Sequence, residues 1–455
     1  MIICNRLGSS VYVSDLDKSF SPSNENVQHS VTKQDLLKSI SLRNLIRSGV
    51  FEPMSYDSED KLEKDLYEKF HLAIKNKAPD APDFKKGIII RGQFLDYSGY
   101  AKVNRNLAES LLTNRIGVMI NALDSQKPRL IGKDLEKSSI YKYVNSSYGD
   151  MVIDSVVPNS DIPKGKKATV LYTTVEAYTI PDSFLNIFSS YDEIWVTSNF
   201  CKSVIENRTS KKVYVMPGVV DSRMYTDVGN KLSIDNKAKS FRFVSVFNWN
   251  YRKGPDALIK AYCKAFSSND DVSLILLCRH KRISGPAKDV KNEVENELKL
   301  INKKDLPHIV RVTRELDESG IASLYRSCNA FVLPSRGEGY GLPYLEASLC
   351  GIPVLGTNVS SIKDILNYNN SCLIDIDKLS PVPKGSTGCY FWDEHIMADL
   401  KEESFIDRLA EGMIDMYKNY NKYLEKNKLL QQETLAKANY LNCAKSVVER
   451  LRCYV

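Results

Sequence analysis

The feature that most constrains this chain is a rhythm that runs, stops and runs again. From Lys86 onward short apolar runs alternate with amphipathic stretches of helical length: GIIIRGQF, IGVMINAL, MVIDSVV, ATVLYTT, EIWVTS and KVYVMPG. Compact apolar runs of this kind read as strands buried in a parallel sheet. A polar, turn-rich stretch, VDSRMYTDVGNKLSIDNKAKS, interrupts the pattern. It restarts at Phe241 with FRFVSVFN, VSLILLC, HIVRVT, AFVLPS, IPVLGT and CLIDI. Alternation of strand and helix predicts two doubly wound α/β domains joined near residues 221–240. Two such domains facing each other leave a cleft, which is where a ligand would sit.

The length of 455 residues is right for two to three domains of ordinary size. Residues 1–80 stand apart as a polar extension whose best helix runs from Glu59 to Asn76, followed by the Pro-bearing linker KAPDAPDF. No apolar run approaches the ~18 residues of a membrane span, and the first twenty or so residues lack the sustained apolar stretch of a signal peptide. A cytoplasmic protein is the expectation. The ten cysteines form no C-x-x-C pair and several lie in apolar runs, which predicts buried, reduced thiols. The five histidines are scattered, so zinc and His-based mechanisms have little to work with. The net charge of +7 is spread among acids without aromatic-studded basic blocks, which argues against nucleic acid as a partner. A mildly basic surface is compatible with an anionic nucleotide, or with peripheral contact to an anionic membrane.

The most informative segment is FVLPSRGEGYGLPYLEASLCGIPVLGT, Phe331 to Thr357. A buried strand ends at Pro334, a turn carries Gly337, Gly339 and Gly341, and a helix begins near Leu342 and ends at Gly351. A Gly-rich turn entering a helix cradles phosphate through backbone N–H groups and the helix dipole. Here two acids flank that turn: Glu338 within it and Glu346 in the helix. Sugar and ribose hydroxyls are donors, and carboxylates accept from them well. Two cations, Arg252 and Lys253, follow the strand FRFVSVFN and suit a diphosphate.

This arrangement resembles the E-x7-E signature of retaining glycosyltransferases with the GT-B fold, the group that includes glycogen synthase and bacterial mannosyl- and glucosyltransferases. The likeness covers roughly residues 86–455 and is strongest over residues 241–357. It implies a GT-B fold: an N-terminal Rossmann-like acceptor domain over residues 81–230, a donor domain over residues 231–434, and a C-terminal helix, residues 435–455, packing back on the acceptor domain. It also implies roles. Glu338 would hold sugar hydroxyls and Glu346 those of the ribose. Lys253 and Arg252 would clamp the diphosphate, with Gly339, Tyr340, Gly341 and Leu342 presenting the loop and helix N-terminus. Many relatives carry an Arg five positions before the Lys, where this chain has Asn248. In the first domain Ser98 and Gly99 resemble the glycine loop facing the donor. Glu176 occupies the loop where relatives often carry a His. The backbone from Val312 to Leu316 would read the base. Ser198 and the GVVD segment look architectural.

The expected activity is metal-independent transfer of a sugar from a nucleotide diphosphate to a hydroxyl of a glycan, lipid-linked or protein-linked acceptor, with no cofactor. Asp15-Leu16-Asp17 and Asp375-Ile376-Asp377 match the D-x-D string of metal-dependent enzymes, but three-residue matches are common by chance. Sugar-nucleotide epimerisation or hydrolysis, and non-catalytic sugar-nucleotide binding, are the competing readings. The poverty of histidine weighs against the first, and intact Lys253, Glu338 and Glu346 against the second.

Overall fold

The computed structural model describes residues 87–125, 130, 149–280, 288–386 and 392–454 apart from 115, 217 and 236, and toward the N terminus residues 2–5, 11–13, 18–20, 29–32, 34, 35 and 51–55. The predicted helix Glu59–Asn76, the linker after it and Asp15–Asp17 lie outside the described residues. The extension, read as polar and helical, contains pairing that its composition hid: Ile2–Asn5 lies between His29–Ser30 and Phe51–Ser55, antiparallel to both.

The first domain is a six-stranded parallel sheet built from β1 (Ile88–Gly92), β2 (Val118–Ala122), β3 (Met151–Ser155), β4 (Ala168–Thr173), β5 (Glu193–Val196) and β6 (Val213–Val215). Its order is β6-β5-β4-β3-β1-β2, and every residue of β1, β3, β4 and β5 is buried. Helices α1 (Gly99–Thr113), α2 (Asp182–Ser189) and α3 (Asn199–Glu206) make the crossovers described. The Ser98 hydroxyl caps α1 by accepting from Ala101 N at 3.2 Å, and Ser198 caps α3 in the same way. The order reverses between β1 and β3, so the ligand-facing crevice lies beyond their C-terminal ends.

The second sheet contains β7 (Phe241–Asn248), β8 (Val272–His280), β9 (Lys288–Asp289), β10 (His308–Arg311), β11 (Ala330–Leu333), β12 (Val354–Thr357) and β13 (Cys372–Ile374). Leaving aside β9, a short antiparallel addition to β8, the order is β10-β8-β7-β11-β12-β13. The switch point falls between β7 and β11. The loops leaving those two strands carry Arg252 and Lys253 on one side and residues 334–341 on the other. Helices α4 (Pro255–Ala265), α5 (Lys291–Lys299), α6 (Glu318–Arg326) and α7 (Leu342–Leu349) flank this sheet.

Three devices join the domains. The hairpin β14 (Leu379–Pro381) with β15 (Ile396–Ala398) belongs to the second domain, yet Val382, Trp392 and Met397 are buried among side chains of the first. Burying Val382 and Met397 there stabilises the junction by about 1.5–3 kcal/mol apiece. Helices α8 (Glu403–Lys418) and α9 (Tyr420–Lys437) pack on the second domain. The chain then crosses back, and α10 (Tyr440–Leu451) inserts Cys443, Ala444, Val447, Val448 and Leu451 into the core of the first. Val220 N donates to Ala438 O at 3.2 Å, so the two crossings run side by side. Among the described residues no helix is long and apolar enough to cross a membrane.

Candidate active site

The two switch-point loops of the second domain are zipped together. Gly254 takes a left-handed φ of +65°, and a Cβ there would come 2.1 Å from the Pro334 carbonyl, so the turn after β7 lies against the end of β11. Arg336 is wholly buried; its Nη1 and Nη2 meet the two oxygens of Asp256 at 2.8 and 2.6 Å, and Nη1 also donates to Tyr251 O. Its N–H donates to Arg252 O at 2.7 Å, while Arg252 Nη1 donates to Gly337 O at 2.7 Å. A bidentate Arg–carboxylate pair on a closed backbone ring fixes both loops. Arg336 went unnoticed in the sequence because nothing local distinguishes it from a surface arginine.

That frame presents four charges. Glu338 Oε1 receives Lys253 Nζ at 2.5 Å and Ser335 Oγ at 2.6 Å, and Oε2 lies 2.9 Å from Arg252 Nη1. Arg252 Nη2 reaches across the junction to Glu176 Oε1 at 2.9 Å. Burial alone would push the Glu338 carboxyl up, but Lys253 and Arg252 with their hydrogen bonds outweigh it and hold it at about 2. The Lys253 ammonium is lowered as well, because burial and the neighbouring Arg252 outweigh the pull of Glu338. The sequence assigns the two cations to a diphosphate and Glu338 to sugar hydroxyls. In the structure the three pair with one another, as opposite charges this close and this buried do.

Glu346 is also buried, on α7, and its counter-ion comes from the other domain. Lys102 on α1 brings Nζ to 2.7 Å from Oε1. Burial pushes the Glu346 carboxyl up, and Lys102 draws it part of the way back. Three residues along α1, Arg105 donates to Glu318 Oε1 at 2.7 Å, at the start of α6. Glu338 and Glu346 thus sit at the domain junction, the first on two cations of its own domain and the second on one from the other. Lys102, Arg105 and Glu318 were not singled out in the sequence. Their spacing on α1 shows two cations on one helix face, but not what they meet.

The glycines let the turn pack tightly against the first domain. A Cβ on Gly339 would sit 1.8 Å from Thr174 Oγ1, and one on Gly337 2.0 Å from Glu176 O. At both positions the close approach that requires glycine is to the loop after β4. The Gly339 carbonyl accepts from Thr197 and Ser198 hydroxyls at 2.8 and 2.9 Å, and Tyr340 Oη donates to Gly218 O at 2.9 Å. Ser198, read as architectural, therefore holds the loop directly. Gly341 has φ +98° and leads into α7, whose N-terminus has no side-chain cap, with Leu342 buried behind it.

The remaining candidates scatter. Ser98 Oγ accepts from Ala101 N as the cap of α1, which leaves its O–H as a donor, and the space around a Cβ at Gly99 is open, so packing does not demand glycine there. Val312 N extends the β10–β8 pairing by donating to Leu276 O at 2.8 Å, which removes that amide from base reading, and the side chains of Val312 and Leu316 pack on the domain core. Asp375 accepts from Asn358 and Tyr368, and Asp377 from Ser404 and Arg408, so each D-x-D carboxylate is engaged separately. Among the described residues no group of three or more His, Cys, Asp or Glu is placed to hold a metal.

Known proteins are similar to parts of this chain in sequence and to its fold. A family model described as glycosyl transferases group 1 matches residues 230–375. The serotype-specific mannosyltransferase WbdA of Escherichia coli is 39% identical over 56 residues, which is 12% of this chain and 7% of WbdA. D-inositol 3-phosphate glycosyltransferase 1 of Catenulispora acidiphila is 29% identical over 111 residues, 24% of this chain and 26% of that protein. In these matches the chain spans about a quarter or less of each relative's length. Two solved structures share the fold at low identity. Sucrose-phosphate synthase of Thermosynechococcus elongatus has a TM-score of 0.56 at 14% identity, covering 80% of this chain and 98% of that one. HepE of Anabaena, solved with UDP and glucose, has a TM-score of 0.51 at 12% identity, covering 81% and 100%. Residues 230–375 thus match the glycosyl transferases group 1 model, and the chain as a whole has a two-domain GT-B fold.

Proposed function

We propose that the protein is a retaining, metal-independent glycosyltransferase that moves a sugar from a nucleoside diphosphate to an acceptor hydroxyl. The observation that carries the reading is the convergence of Arg252, Lys253 and Glu338 at the β7/β11 switch point, directly before the uncapped N-terminus of α7. Glycosyl transfer needs a stabilised leaving group and an exposed oxocarbenium-like carbon. Lys253, Arg252 and the α7 N-terminus would take the charge that develops on the departing diphosphate. In taking it, the cations exchange Glu338 for phosphate, and the carboxylate is released to accept sugar hydroxyls. Glu346 would accept ribose hydroxyls. No side chain is needed as a nucleophile: on a same-face route the leaving phosphate oxygen takes the acceptor proton as the new glycosidic bond forms. Apposed domains exclude water and so protect the donor from hydrolysis. The acceptor is a glycan or a lipid- or protein-linked sugar, bound by loops of the first domain.

The test begins with UDP-, GDP- and ADP-sugars, since a bound donor raises the melting temperature by mass action. The stabilising donor is then incubated with candidate acceptors, and the anomeric configuration of the product is read by NMR. Release of nucleoside diphosphate only with acceptor, and retained configuration, support the proposal. Release without acceptor would make the protein a hydrolase, and binding without turnover a sugar-nucleotide-binding protein.

A further inference from the structure

Glu346 lies in the second domain, yet the cation beside it belongs to the first. Lys102 Nζ donates to Glu346 Oε1 at 2.7 Å and to Tyr225 Oη, in the linker, at 2.8 Å, and it lies 5.0 Å from the centre of the Tyr225 ring. The Lys102 and Glu346 side chains are only 11% and 4% exposed, so solvent screens the pair little. Of the two Glu346 oxygens, Oε1 alone is engaged by a described residue. An ionised carboxylate offers about four lone-pair sites, so one held by an ammonium still accepts from two hydroxyls. Deprived of that ammonium, a carboxyl this buried tends toward its neutral form, which donates a proton and accepts less well.

We propose that Lys102 is a positioning residue for nucleotide ribose: from the opposite domain it holds Glu346 ionised and oriented to accept the ribose hydroxyls, and the ribose site is complete only when the domains are apposed. This rests on the reading of Glu346 as the ribose acceptor. Arg105 and Glu318, alongside on α1 and α6, form a second ion pair across the junction, and the charge of Glu318 is felt by both Lys102 and Glu346. Because one carboxylate serves both the other domain and the ribose, nucleotide binding and closure are coupled reciprocally.

The experiment is calorimetric titration of the full chain with UDP, GDP and ADP, each against its 2′-deoxy counterpart. For whichever base binds, wild type should prefer the ribonucleotide. Lys102→Met should shrink that preference by about tenfold or more, the worth of a hydrogen bond to a charged group, while the 2′-deoxynucleotide, which keeps only the 3′-hydroxyl, should lose less affinity than the ribonucleotide. Lys102→Arg should restore part of the preference. Should Lys102→Met fail to fold, Tyr225→Phe, which releases one of the two hydrogen bonds fixing the ammonium, carries the same comparison with a smaller change. Equal loss for both nucleotides would mean a merely structural pair and would overturn the proposal. A preference that survives Lys102→Met but disappears in Glu346→Gln would overturn the role of Lys102 and leave the donor-site reading intact. Failure of every nucleoside diphosphate to bind wild type would remove that reading, and this inference with it.

Discussion

Replacing Glu338 with glutamine should cost stability in a way that depends on pH. The carboxyl is held at about 2 against an ordinary value of 4.5. At about 1.4 kcal/mol for each tenfold in proton affinity, that depression is worth about 3 kcal/mol at neutral pH. The sign follows from the folded value lying below the unfolded one. The contribution is complete above 4.5 and is lost as the pH falls toward about 2, with about 2 kcal/mol of it gone by about pH 3. The glutamine variant keeps the shape but has no charge to lose, and it leaves the largely buried Lys253 without its counter-charge and Arg252 with Glu176 for its carboxylate partner. Denaturant unfolding of both proteins across this range should therefore show a gap of at least about 3 kcal/mol near neutrality that narrows by about 2 kcal/mol on acidification. A gap that stays constant with pH would refute the reasoning, because it would mean that Glu338 contributes shape and hydrogen bonding but no ionised carboxylate.

Lys253→Ala and Glu346→Ala should each lower acceptor-dependent turnover by about 10²-fold or more, the scale of losing one transition-state stabiliser; near-wild-type rates in a folded variant would show the donor site to be elsewhere. Gly339→Ala should destabilise the fold by about 1–3 kcal/mol, the usual cost of overpacking, because the new methyl would sit 1.8 Å from Thr174 Oγ1. Thr174→Gly in the same chain should recover part of the loss in a melting experiment, whereas no recovery would place the strain in the loop itself.

Much of the fold was legible because burial on both faces writes itself into a run of residues. IIIRG, MVIDS, ATVLYT and AFVL are strands, wholly buried, where continuous apolar stretches stand. The helix from Gly99 and the one from Leu342 begin where their turns and glycines indicate. The weakly patterned extension misled, since two- to five-residue strands are too short for periodicity to register. At the site, residue types were legible and partnerships were not. Glu338 and its two cations lie 85 and 86 positions apart in the chain, Lys102 and Glu346 lie 244 apart, and no local pattern encodes a contact between domains. The glycines show the same limit. Sequence reveals that the backbone at Gly337 and Gly339 must be approached closely, but not that the approaching group is the loop of Thr174 and Glu176.

The return of the chain into its first domain through α10 has a mechanical consequence. Two covalent connections cross the junction, and the bond from Val220 to Ala438 keeps them adjacent, like two knuckles on one pin. A body held along such a line can swing but resists being pulled away or spun about its neighbour. The same path governs dissection. A chimera that exchanges the first domain must replace α10 together with the segment before the linker, because cutting at the linker alone would strip Val447, Val448 and Leu451 from a core they help to fill.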